Sequence, residues 1–183
     1  SEASYRQALA IALDAFGLGH PLTIGSQRAL GELLVDVGKL SEAERLLGLA
    51  HDRLVARFGP THSEVAASWH QLGRLAYEQS RVPAADEALQ RSLQLRRRDG
   101  SLARHPDLAC DLAEVQSRRG EHAAAETLVR ECLQLAQANA PGLLGRVERL
   151  SGWLAVARGD AEAASSWLAL AERRGDGGDP RVQ

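Results

Sequence analysis

The sequence has few aromatic residues, one lysine and no methionine. Aromatic side chains make up only 4% of its 183 residues, so its core has to be built from leucine, alanine and valine. No apolar run approaches the roughly 18 residues of a membrane-spanning helix, and no secretory signal opens the chain. Because the first residue is not methionine, we expect a fragment of a longer protein. These absences predict one soluble, core-forming array in the cytoplasm.

Cysteine is also scarce, since Cys110 and Cys132 are the only two. Their number and spacing fit neither a disulfide framework nor a set of metal ligands. No histidine is placed to activate either one as a nucleophile. We therefore predict two small buried thiols on the two helices of one unit, in a reducing compartment.

The charge pattern argues against nucleic-acid binding. The formal net charge is −2, and every one of the 22 basic residues except Lys39 is arginine. The densest basic run, Arg96-Arg97-Arg98, has no aromatic residues interleaved with it, as a nucleic-acid surface would. We interpret this run as a solvated helix end.

A small residue recurs along the chain at intervals of 42, 40 and 39 residues, at Gly38, Ser80, Gly120 and Gly159. An alanine lies five residues after each of them, and a second small residue lies seven residues before: Gly31, Gly73, Ala113 and Gly152. A period of about 40 residues is typical of a solenoid of repeated helix pairs. Small residues at these two places would let two antiparallel helices approach closely.

The apolar residues within each unit follow helical spacing. In the first full unit, one stripe marks a first helix, A, and a second stripe marks a second helix, B: Leu30, Leu33 and Leu34, then Leu46, Leu47, Ala50 and Leu54. Ser41-x-x-Glu44 and Thr61-x-x-Glu64 read as capping boxes that begin helices, and Pro83 suits a first helical turn. No stretch alternates with a period of two. The predicted fold class is all-α.

The turns between units carry a Gly-x-x-His pattern, in Gly17-Leu-Gly-His20 and again in Gly59-Pro-Thr-His62, and His105-Pro106 follows 43 residues after His62. With the Leu-Gly and Leu-Ala pairs of the A helices, this pattern resembles tetratricopeptide repeats of the kinesin-light-chain type, whose unit is about 42 residues. The resemblance extends from residue 1 to about 174. It implies a right-handed α-solenoid of helix-turn-helix repeats.

This resemblance sets the predicted boundaries. We expect a half repeat (helix B and a turn) at 1–20, full repeats at 21–62, 63–105, 106–140 and 141–174, and a flexible tail at 175–183, with the last repeat acting as a C-terminal cap. Helix A of the third repeat should be about one turn shorter than the others, because His105 lies only 15 residues before Gly120. The half repeat lacks its helix A, so we also expect a weak homodimer through residues 1–20.

The candidate chemical sites all have simpler structural explanations. His20, His62 and His105 occupy equivalent turns of successive units and are too far apart to share a metal, so we predict a turn-shaping or capping role. The glycine-rich segment 175–179 has no lysine and no following helix, which excludes a phosphate cradle. We therefore predict no catalytic residue, no cofactor and no metal site, and hence a protein that is not an enzyme.

What remains is a binding surface. The resemblance implies that the A helices line a concave face where a protein or peptide segment binds, with neither nucleic acid nor membrane as a partner. Offsets from the small residues place these side chains on that face: Arg28, Glu32, Asp36, His70, Arg74, Tyr77, Glu78, Glu114, Arg118, Arg149 and Trp153. Each of them is otherwise explained as part of a solvated helix face.

Two known modes of recognition are disfavoured. Tetratricopeptide domains that clamp the carboxylate tails of heat-shock chaperones use paired cations and asparagines, whereas Glu32, Gln71, Asp107 and Asp111 stand at the corresponding places here, and acidic groups would repel such a ligand. The asparagine pair of kinesin-light-chain repeats is also replaced. We predict a non-catalytic protein-binding scaffold within a larger bacterial signalling protein. The alternative is an architectural or self-associating regulatory module with no ligand in the groove.

Overall fold

The computed structural model describes residues 1–175, with side chains to residue 173, and over that range it is built from α-helices. In chain order they are α1 (Glu2–Phe16), α2 (Pro21–Asp36), α3 (Leu40–Phe58), α4 (Ser63–Glu78), α5 (Val82–Arg98), α6 (Asp107–Arg118), α7 (His122–Asn139), α8 (Leu144–Ala157) and α9 (Ala161–Gly175). Short 3-10 turns precede α6 and α8. The all-α prediction is confirmed. The predicted tail lies outside the described residues, apart from Gly175 at the end of α9.

Successive helices pack in antiparallel pairs, α2 with α3, α4 with α5, α6 with α7, and α8 with α9. The first helix of each pair is its helix A and the second its helix B, and α1 packs on α2 as α3 packs on α4. The chain divides into two compact units at Asp99 and Gly100. Within each unit the two A helices also touch, α2 against α4 in the first unit and α6 against α8 in the second.

The turn from helix A to helix B is the same in all four pairs. Gly38, Ser80, Gly120 and Gly159 have φ values of 77°, 59°, 77° and 76°, in the left-handed region. In each turn the next residue donates its backbone N–H to a carbonyl five positions back, for example Lys39 to Leu34 at 2.8 Å and Arg81 to Ala76 at 2.8 Å. This is the Schellman arrangement, which favours glycine. Ser80 keeps that backbone without being glycine.

Small residues in the A helices permit close approach to the B helices, as the sequence predicted. A methyl group added to Gly73 would lie 2.6 Å from two side-chain carbons of Leu89, and one added to Gly31 would lie 2.6 Å from Leu47. Gly152 faces Leu168 in the same way, at 2.9 Å. Each leucine follows its glycine by 16 residues. The third repeat has the combination Ala113 and Val129 at that spacing, with one methyl more in helix A and one carbon less in helix B.

The turn histidines cap the helices that follow them. His20 Nδ1 accepts a hydrogen bond from the backbone N–H of Leu22 at 3.3 Å, and His62 Nδ1 accepts from that of Glu64 at 3.1 Å. Each ring also stacks on a phenylalanine four residues earlier, Phe16 or Phe58, with ring centroids 4.5 Å apart. The predicted capping role is confirmed for these two histidines.

The predicted capping boxes at the starts of α3 and α4 are wrong. α3 begins at Leu40 with Lys39 as its N-cap and no side-chain cap, because the Schellman turn runs directly into the helix. Glu44 instead bonds Gln79 and Arg81, at 2.9 and 2.7 Å. At α4 the cap is His62 and not Thr61. Other local predictions hold, since Pro83 lies in the first turn of α5 and α6 has 12 residues where α2 and α4 have 16.

Candidate functional site

In the first unit, both predicted arginines of the A helices are neutralised across the contact between α2 and α4. Arg28 donates to Gln71 Oε1 at 2.8 Å and forms an ion pair with Glu64, and its side chain is only 18% exposed. Arg74 pairs with Asp36 at 3.3 Å. These ion pairs fix α2 against α4 and leave these two arginines already partnered before any ligand arrives.

The other predicted residues of this unit differ in accessibility. Glu78 is exposed, and Glu32 and Tyr77 are half-buried. His70 is 8% exposed, because it lies on the packed side of α4. The A-helix face of the first unit therefore offers a ligand mainly Glu78, Tyr77 and the rims of the ion pairs.

In the second unit, an arginine that the sequence analysis did not select organises the A-helix face. Arg146 of α8 bonds Asp111 at 2.6 Å and Glu114 at 3.0 Å, both on α6. Burial acts to lower the pKa of Arg146, but the two carboxylates outweigh it and the net shift is upward. Glu114, one of the predicted binding residues, is thus held in an intramolecular pair, while Arg118 at the end of α6 is exposed.

The exposed side of α8 carries the most accessible apolar surface among the predicted residues. Trp153 is 72% exposed and Val156 is 61% exposed. Arg149 is exposed beside them, and within residues 1–175 it has no ion-pair partner. Positions 149, 153 and 156 share one side of the helix, with Arg146 at its edge towards α6. A cation and two apolar side chains therefore lie side by side on α8.

The opposite side of the helix pairs has narrow grooves between successive B helices. In the first unit a groove of about 240 Å³ is lined by α3, α4 and α5 residues that include Trp69, Leu72 and Ala88, with the Glu44–Arg81 pair at one end. In the second unit a groove of about 160 Å³ includes Leu133, Leu154 and Trp167, with the Glu126–Arg158 pair in the same place. In the first groove, Arg91 stacks over the Trp69 ring at 4.7 Å.

Two predictions about individual residues are wrong. Cys110 and Cys132 lie on the two helices of one pair and are fully buried, as expected, but they form a disulfide and are not free thiols. Their Cα atoms are 5.8 Å apart, a separation that sequence spacing alone does not reveal. Arg96 is only 3% exposed and not part of a solvated helix end, because it lies one turn after Ser92 on the packed side of α5.

Comparison with known proteins agrees with this architecture. Residues 65–98 match the tetratricopeptide repeat family. No curated protein sequence matches the chain at a significant level. Of the described residues, none form a helix long and apolar enough to cross a bilayer.

Several solved structures share the fold. BtubC (BKLC) from P. vanneervenii is similar over 100% of this chain and 76% of its own, with 19% identity and a TM-score of 0.78. The nearly identical TPR-like repeats of a Podospora anserina protein described as kinesin light chain cover 94% of this chain and 84% of their own, with 19% identity and a TM-score of 0.72. PilF of Pseudomonas aeruginosa covers 97% and 68%, with 20% identity and a TM-score of 0.67.

The fold therefore places the chain in the class of all-α arrays of helix-turn-helix repeats. The match at 65–98 identifies a tetratricopeptide repeat, and the array has the fold of kinesin-light-chain-like tetratricopeptide proteins. Identities near 20% establish this fold and leave the ligand open.

Sequence reasoning selected some of the residues that pair across neighbouring A helices: Arg74, Asp36 and Glu114. It missed Arg146, the partner of Glu114. Arg146 could have been found, because it lies three residues before Arg149 and seven before Trp153 on the same helix side. The pairing itself could not be predicted, since Asp111 is 35 residues away in sequence and the contact depends on how α8 packs on α6.

Proposed function

We propose that this chain is a non-catalytic scaffold that binds a protein or peptide segment on the surface formed by its A helices. The fold is typical of protein–protein interaction. The observation that carries the proposal is the exposed group on α8, where Trp153, Val156 and Arg149 lie together in water. Tryptophan and arginine are the residues that most often supply binding energy at interfaces, and apolar groups this exposed are the ones that gain most from being covered.

The first unit, taken by itself, offers a separate, charge-balanced surface on its own A helices. Because Arg28 and Arg74 are already paired, they position a ligand more than they attract one, and Tyr77 with Glu78 supplies the accessible contacts. We place the scaffold in the cytoplasm as part of a larger bacterial signalling protein. This setting rests on fold-level analogy alone.

The test uses a peptide selected from a random library against the chain, with affinity measured by titration calorimetry. Trp153→Ala should weaken binding at least tenfold, which corresponds to about 1.4 kcal/mol. Val37→Ala, at another exposed apolar position that is 52% exposed and lies outside the α8 group, is the matched control and should leave affinity unchanged. Acrylamide quenching adds a direct readout, since Trp153 is exposed while Trp69 and Trp167 are half-buried. Unchanged affinity and quenching for peptides that bind would refute the proposed site.

A second candidate is self-association through the half repeat. On α1, Tyr5 and Ile11 are 42% and 59% exposed. Tyr5 is at the position equivalent to Leu47 of α3, which is buried. Tyr5 and Ile11 lie on different sides of α1, and exposed apolar side chains on a helix favour a weak homodimer. Leu9 and Leu13 are half-buried instead, and Leu9 packs against the core of the first unit. The informative variant is therefore Tyr5→Glu with Ile11→Glu, and a dimer that persists in it by light scattering would place the contact elsewhere.

A further inference from the structure

The disulfide between Cys110 and Cys132 ties together the two helices of the third repeat. Cys110 lies in the first turn of α6, and Cys132 lies in the middle of α7. Both side chains are 0% exposed. The next residue after Cys110 is Asp111, which holds Arg146 of α8. The covalent tie therefore lies beside the ion pairs that organise the A-helix face of the second unit.

The second repeat shows what occupies the same place without a disulfide. There Ser92 Oγ of α5 donates a hydrogen bond to the backbone carbonyl of Ala66 at 2.7 Å. In the third repeat Cys132 Sγ lies 3.2 Å from the carbonyl of Pro106. Both pairs are separated by 26 residues and join helix B to the start of helix A. Ser92 and Cys132 are thus equivalent positions.

This equivalence gives the reduced protein a defined structure. A disulfide sulfur carries no hydrogen, so the contact between Cys132 and Pro106 is not a hydrogen bond while the two cysteines are joined. After reduction the Cys132 thiol gains a proton and has an acceptor at the distance that a thiol donor needs. In the reduced third repeat, one hydrogen bond from helix B would then join it to the start of helix A, as in the second repeat.

We propose that Cys110 and Cys132 form a reversible redox latch that sets how firmly α6 is held. A thiolate of a dithiol reductant attacks one sulfur, the S–S bond breaks, and one cysteine leaves as a thiolate that takes a proton. The reductant's second thiol then displaces the mixed disulfide. The pair accepts two electrons and two protons, both cysteines end as thiols, and the reductant ends as its own disulfide.

Burial makes access conditional on local opening. Because neither sulfur is exposed, a reductant reaches the bond only when α6 lifts from α7, and α6 is the shortest of the A helices. A reduced state that keeps a hydrogen bond of its own, as the second repeat does, fits a latch better than a permanent staple. The inference is independent of the proposed peptide binding.

The test reduces the folded chain with dithiothreitol and counts thiols with a chromogenic disulfide reagent after quenching. We expect two thiols to appear without denaturant, the thermal midpoint to fall by roughly 5–10 °C, and both changes to reverse with glutathione disulfide. Hydrogen exchange should become faster in α6 and α7, while α4 and α5, the matched pair without cysteine, stay unchanged. Thiols that appear only after unfolding would overturn the latch and leave a structural cross-link.

Variants separate the disulfide from the hydrogen bond. Cys132→Ser should have the midpoint of the reduced wild type and no response to dithiothreitol, because serine can donate to Pro106 as Ser92 donates to Ala66. Cys132→Ala removes the donor as well and should melt below Cys132→Ser. Equal midpoints for the serine and alanine variants would overturn the assignment of a prepared acceptor. Should a variant fail to fold, reduced wild type still supplies the comparison with the oxidised chain.

Discussion

Replacing Gly73 by alanine tests whether glycine sets the spacing within a helix pair. The added methyl would lie 2.6 Å from Leu89 Cγ and Cδ2, and 3.3 Å from its backbone nitrogen. Carbon atoms pack best at about 3.5–4.0 Å, so the overlap is close to 1 Å. Leu89 is 1% exposed, so its side chain is enclosed by neighbouring atoms. The methyl therefore overpacks the second repeat.

The magnitude follows from two opposing effects. Overpacking costs about 1–3 kcal/mol, while alanine is favoured over glycine within a helix by about 1 kcal/mol. Gly48 in α3 provides the matched control, because a methyl there meets nothing within 4 Å. We expect Gly48→Ala to stabilise the protein, and Gly73→Ala to be less stable than Gly48→Ala by about 1–3 kcal/mol.

The third repeat suggests the rescue. It combines Ala113 with Val129 where the second repeat has Gly73 with Leu89, so Leu89→Val should recover much of the stability lost in Gly73→Ala. Urea unfolding followed by far-UV circular dichroism gives the double-mutant cycle. We expect a favourable coupling of at least about 0.5 kcal/mol. Additive effects, or a Gly73→Ala variant as stable as Gly48→Ala, would refute the idea that this contact sets the spacing.

Three further predictions concern turns and charges. Ser80→Gly should stabilise the protein by about 1 kcal/mol in urea melts, because the left-handed φ of 59° strains serine and suits glycine, and Gly120→Ser should destabilise it similarly. Arg146→Gln should cost about 1–2 kcal/mol by the same assay, more than Arg158→Gln, since the Arg158 side chain is 48% exposed and that of Arg146 is 29% exposed. Desolvation lowers the pKa of His51, so the folded protein favours the neutral ring. The contribution of His51 to folding stability is therefore fully present above pH 6.5 and is lost as the pH falls below that ordinary value. Below pH 6.5, His51→Gln should make the thermal midpoint depend less on pH.

The helix pairs were predictable because local rules determine them. The recurrence of Gly38, Ser80 and their equivalents marks the turns, and the structure gives each the backbone that glycine prefers. Gly31 and Gly73 mark close approach because only a missing side chain allows it. The shorter α6 followed from counting residues between His105 and Gly120. These features depend on residues within one repeat.

Features that depend on three-dimensional placement were not predictable. Ser41 and Glu44 fit a capping box by spacing, but the turn leaves no extended residue for the box to use, and Glu44 pairs with the next repeat. Arg96 belongs to a basic run in sequence and to a packed helix side in space. The disulfide forms only at one rotation of α6 about its axis relative to α7. The repeat period predicts that rotation poorly here, because the third repeat is shorter than the others.

The departures of the third repeat are physically connected. Its turn has a 3-10 segment with buried Leu102 where the first two turns stack phenylalanine on histidine, and its helix A loses about one turn. A shorter helix has less surface to bury against its partner, and the pair Ala113 with Val129 replaces the larger leucine of the other repeats. The disulfide joins α6 and α7, the pair whose helix A is the shortest and therefore has the shortest noncovalent contact. Among the A helices, α6 alone is therefore attached to its helix B with a strength that depends on the oxidation state of two cysteines.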